Sequence, residues 1–126
     1  MITKEITLAG HTVTLAYSFG AAFDYKQRAG EDMADYANHV IETYNAKKDP
    51  DPFRTIKAIL SCQEAFYAGK DQKGPLTEKI LFDDLDPFEM LAAAYAIVTM
   101  RQEFYHIPPG APKENPAKGT RKRKNA

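Results

Sequence analysis

One thiol, three histidines and 17 carboxylate side chains are the groups with which this sequence could do chemistry. Cys62 sits between Ser61 and Gln63 on or near the apolar side of a helical pattern. A reactive thiolate needs a cationic, partly exposed setting, so Cys62 reads as a small core residue. His11, His39 and His106 stand apart, and no His or Cys falls three or four residues from another, as a zinc site requires. Asp83, Asp84, Asp86 and Glu89 could offer oxygen ligands to a hard cation. They lack the calcium-loop spacing and its glycine, and Asp86 and Glu89 are placed to cap a helix, where the dipole favours acids. Gly20, Gly30, Gly69 and Gly74 are scattered and form no phosphate cradle. The other carboxylates offer too many pairs to single out an acid–base couple. The expectation is a protein that is not an enzyme, with no cofactor and no metal.

The elements that would position such groups are legible from periodicity. Ile2, Ile6 and Leu8 share one parity, and His11, Val13, Leu15 and Tyr17 share another across Ala9-Gly10. Period two with β-branched residues predicts a β-hairpin over 2–17, turning at Gly10. Ser18 then caps a helix over 19–29, with Phe19, Ala22, Phe23 and Lys26 along one face and Gly30 as its stop. Met33, Tyr36, Ala37, Val40, Ile41 and Tyr44 form the apolar stripe of a helix over 32–45, with an acidic opposite side. Asp51-Pro52 restarts a helix over 52–68, Thr77 a short one over 77–82, and Asp86-Pro87-Phe88-Glu89 the last, over 87–105. Asp-Pro-Phe occurs twice, 35 residues apart, but the flanking residues drift, so the recurrence is shared helix-start grammar rather than a repeat.

The last helix is apolar on two faces. Phe88, Leu91, Ala92, Tyr95 and Val98 form one. Met90, Ala94, Ile97, Met100 and Phe104 form the other, which is either core or a contact surface for a partner. Methionine adapts to varied partners and aromatics anchor interfaces, so this second face is the candidate partner-binding surface.

Composition bounds the rest. The chain is 44% hydrophobic and 27% charged with one cysteine, which fits one soluble domain without a disulfide framework. No apolar run approaches the roughly 20 residues of a membrane helix, and the N-terminus does not read as a signal peptide. The default compartment is the cytosol. A net charge of zero hides an acidic body, −5 over residues 1–105, and a basic end, +5 over 106–126. The latter is rich in Pro, Gly and charge without periodicity, and is expected to be a disordered tail. The fold class expected is α+β and mostly helical: the hairpin, four to five helices in one domain over 1–105, and the tail. A helix-turn-helix over 19–40 has the wrong sign for DNA, since its second helix carries Asp32, Asp35 and Glu42. Nucleic acid could be met only through the tail, at Lys118, Arg121, Lys122, Arg123 and Lys124.

The opening residues carry a resemblance. Gly10-His11-Thr12-Val13-Thr14-Leu15, then Tyr17-Ser18-Phe19-Gly20-Ala21 and Ala29-Gly30-Glu31-Asp32, are similar to the start of small phage and prophage tail proteins. The group they most resemble is the tail assembly chaperones, and the Asp86-Pro87-Phe88-Glu89 helix fits that group's helical remainder. The likeness covers about two-thirds of the chain. It implies a non-enzymatic role in the host cytosol, binding tape-measure or tail-tube proteins and keeping apolar helices from aggregating, with no catalytic residue to carry over. A homo-oligomer is left open. The rival expectation is a small nucleic-acid-associated protein acting through its basic tail.

Overall fold

The computed structural model describes residues 1–108. Two antiparallel strands, β1 (Ile2–Leu8) and β2 (His11–Tyr17), open the chain in the register Ile6↔Val13 and Leu8↔His11. The connecting Ala9 and Gly10 both have positive φ, 52° and 79°. That is the handedness a two-residue hairpin needs, reached here with alanine where asparagine is usual. Five helices follow: α1 (Phe19–Ala29), α2 (Met33–Asn45), α3 (Pro52–Tyr67), α4 (Glu78–Asp84) and α5 (Pro87–Phe104), with one 3-10 turn at Ala68–Lys70. The fold is α+β and mostly helical, as the periodicities predict.

The helix starts follow the expected caps. Ser18 Oγ accepts from the Ala21 amide, Asp51 from Phe53 and Arg54, and Thr77 from Ile80. Asp86 and Glu89 form a reciprocal capping box at α5. Gly30 takes φ 73° to end α1. Two ends were not foreseen. Lys47 and His106, both with φ 57°, occupy the left-handed position where glycine is usual. The next amides then reach back: Lys48 to the Thr43 carbonyl at 2.8 Å, and Ile107 to that of Gln102 at 2.7 Å. His106 and Ile107 thus close α5 rather than opening the expected tail. The tail from 109 onward lies outside the described residues.

Two helices organise the core. α3 packs against β2, α1, α4 and α5, and α5 against β1, β2, α3 and α2. Leu8, Val13, Leu15, Tyr17, Tyr25, Tyr36, Ile59 and Ile97 meet there with almost no exposure. Burying each of the aliphatic side chains among these contributes about 1.5–3 kcal/mol. Among the described residues no helix is long and apolar enough to cross a membrane.

Polar contacts tie the elements together. Arg54 at the start of α3 clasps the Glu31 carboxylate with two bonds, at 2.8 and 2.9 Å, and the Tyr25 hydroxyl donates to the same carboxylate. Gln63 offers its side-chain amide to both backbone groups of Leu76, at 2.8 and 2.9 Å, and so holds the loop before α4 against α3. Glu89 reaches beyond its own helix start and accepts the Ala9 amide of the hairpin turn at 3.1 Å.

Candidate protein-binding surface

The second face of α5 is core along most of its length. Met90, Ala94, Ile97 and Met100 are all buried within the one chain. The reason is topological: α5 lies between the hairpin, α3 and α2, so three sides of it are covered. The methionine stripe fills the core, and only Phe104 of the five expected residues remains partly exposed.

α1 also presents a different side from the one expected. Ala21 and Tyr25 point inward, and Phe19 and Phe23 stand 70% and 68% exposed. Small Ala21 lets α1 approach, and Tyr25 places its ring on Tyr36 with centroids 5.6 Å apart. With those residues inside, the i, i+4 pair Phe19 and Phe23 must face water.

Phe19 and Phe104 therefore meet at the surface. Their rings stand edge to face at 5.1 Å, and Tyr105 joins at 5.1 Å from Phe104 and 6.3 Å from Phe19. Tyr17 lies beneath, 5.4 Å from Phe104, and Arg101 covers Tyr105 at 4.9 Å. Burial pushes the Tyr17 hydroxyl well above the usual tyrosine range, partly offset by the nearby Arg101, so it stays protonated. A floor of rings fixed by edge-to-face contacts is preorganised, and aromatic side chains of this kind anchor interfaces. The site comes from the C-terminal end of α5 and the start of α1, immediately after β2.

Several of the residues weighed for chemistry have structural roles. Cys62 is fully enclosed, and burial pushes its thiol up to about 12. His39 Nε2 accepts the Asp51 amide at 2.8 Å, and His11 pairs with Leu8 beside the hairpin turn. Asp83 pairs with Lys79 at 2.6 Å, while Asp86 and Glu89 cap α5. Among the described residues no group of three or more His, Cys, Asp or Glu could hold a metal ion. The basic residues Lys118, Arg121, Lys122, Arg123 and Lys124 lie outside the described residues.

The sequence did contain a signal for this surface. Phe19 and Phe23 were visible as a pair; what periodicity could not say is which side of a short helix turns inward. Comparison with known family models, curated proteins and solved structures finds no match to this chain.

Proposed function

We propose that this chain is a non-enzymatic binding protein of phage tail morphogenesis, acting in the host cytosol as a chaperone for a tape-measure or tail-tube protein. The observation that carries the reading is the solvent-facing aromatic cluster of Phe19, Phe104 and Tyr105, with exposed Phe23 one turn along α1 from Phe19. Phe19 belongs to the Tyr17-Ser18-Phe19-Gly20-Ala21 stretch on which the resemblance to tail assembly chaperones rests. Exposed rings cost solubility unless they serve a partner, and an apolar helix face is the kind of partner they can cover. Co-expression with tail proteins encoded nearby tests this. The tape-measure or tube protein should co-purify with the wild type, and the double change Phe19→Ser, Phe23→Ser should abolish capture while the circular dichroism stays native. If no tail protein is retained by the wild type, the reading fails.

The nucleic-acid reading rests on the five cations between Lys118 and Lys124. Binding of DNA that weakens steeply with salt, and disappears when those five are changed to Gln, would favour it instead.

A further inference from the structure

We propose that two copies of this chain pair through the outer face of α5, each seating its Phe88 in a depression of the other. The residues that carry this lie apart from the Phe19 cluster. Phe88 is 82% exposed and has no ring partner among the described residues. One and two turns further along the same stripe of α5, Leu91 and Tyr95 join Tyr44 of α2 to floor an open depression of about 470 Å³. Tyr44 and Tyr95 stand edge to face at 5.5 Å, so the floor is set. Knob and hole therefore share one helix face, separated by about 5–10 Å at 1.5 Å per residue.

That spacing suits a two-fold axis. An axis crossing the outer face of α5 near Leu91 runs the two α5 helices antiparallel and exchanges each Phe88 with the other copy's depression. Ala92 is exposed on this face, and its small side chain lets the helices approach. Such an exchange is reciprocal and closes, so it gives a dimer and not a filament.

Charge follows the same symmetry. The rim of the depression holds Lys47 and Lys48, against the single acid Asp49. Neither lysine makes an ion pair among the described residues. The rim thus carries one net positive charge, while residues 1–105 as a whole carry −5. Lys47 holds the left-handed cap position, φ 57°, which favours glycine. Next to Phe88 the sequence is Asp83-Asp84-Leu85-Asp86. Asp83 is paired with Lys79, whereas Asp84 and Asp86 are exposed and make no ion pair among the described residues, so the pairing sets Asp84 against the partner's lysines. An apolar knob flanked by an acid thus matches an apolar hole flanked by cations, both supplied by one sequence.

The test is the mass of the full chain in solution, by light scattering and sedimentation equilibrium from micromolar to near-millimolar protein. The expected result is a concentration-dependent rise from 14.1 kDa to twice that value. Phe88→Asp should stay monomeric throughout with an unchanged far-UV spectrum and melting temperature, since Phe88 is almost wholly in water. Lys48→Glu should weaken pairing by about tenfold, and Lys48→Glu with Asp84→Lys should restore it. A wild type that is monomeric at every concentration overturns the proposal, as does a Phe88→Asp variant that pairs like the wild type, or a double charge reversal that restores nothing. Partner capture by Phe19 and Phe23 is read separately, so failure of one idea does not touch the other.

Discussion

Gln63 and Gly74 make a coupled pair whose energetics can be worked out before measurement. Gln63 is 6% exposed on α3, and its amide satisfies both the N–H and the C=O of Leu76, itself buried. Replacing Gln63 by Leu keeps the apolar bulk but strands two buried backbone groups. Each unsatisfied group costs about 1–3 kcal/mol, so Gln63→Leu should lose about 2–6 kcal/mol. Gly74 lies against the same side chain. A Cβ built there would fall 2.1 Å from Gln63 Cδ, and its three nearest neighbours are all Gln63 side-chain atoms. That amide is pinned by two hydrogen bonds and cannot step aside without breaking them. Gly74→Ala should therefore destabilise by a similar amount, although its φ is not positive. In a Gln63→Ala background the obstruction is gone, and Gly74→Ala should become neutral or stabilising by about 0.4–1 kcal/mol through the unfolded chain. Urea denaturation of the four members of the Gln63→Ala, Gly74→Ala cycle, and of Gln63→Leu beside them, followed by circular dichroism, measures both effects. If Gly74→Ala costs the same in both backgrounds, the steric argument is wrong. If Gln63→Leu costs less than about 1 kcal/mol, so is the satisfaction argument.

Three other outcomes follow from single contacts. Glu89→Ala removes the acceptor of both the Asp86 and Ala9 amides and should cost about 1–3 kcal/mol, with faster hydrogen exchange at Ala9; Glu89→Gln, which keeps an oxygen, should cost much less. Burial, aided by the Arg54 charge, holds His39 below its ordinary 6.5, and its neutral Nε2 accepts the Asp51 amide. The unfolded chain therefore takes up the proton first, so this contribution is whole above pH 6.5 and is lost as pH falls through the folded-state value. His39→Gln should flatten the stability profile as pH falls below 6.5, and parallel profiles for the two proteins would refute the assignment. Cys62, its thiol raised to about 12 by burial, should resist a thiol reagent in native buffer and label only as the chain unfolds; rapid native labelling would contradict its enclosure.

Local grammar carried most of the fold. Alternation set the hairpin, and Ser18, Asp51, Thr77 and Asp86 placed four helix starts because each cap uses atoms within three residues. What stayed hidden was long-range. The bonds from Glu89 to Ala9, Arg54 to Glu31 and Gln63 to Leu76 join residues 80, 23 and 13 positions apart, and nothing local marks them. The left-handed caps at Lys47 and His106 were equally illegible, since a non-glycine residue there goes against the usual preference and is imposed by what the chain must reach next.

α5 shows why an apolar helix cannot be divided into core and contact by sequence alone. Its two stripes are alike in hydrophobicity, and each contains large side chains. Packing decided between them through the small residues. Ala93, Ala94 and Ala96, all buried, let α5 sit close among its neighbours, and Met90, Ile97 and Met100 lie on the sides those alanines open. Of the other stripe, Phe88 and Ala92 are left exposed and Leu91 and Tyr95 half-buried, while Val98 joins the core. The apolar surplus read from the sequence is real, but it lies about a third of a turn or more around the helix from where composition placed it. On this side the surplus borders a depression rimmed by Lys47, Lys48 and Asp49, and that neighbourhood is why the proposed pairing is placed here.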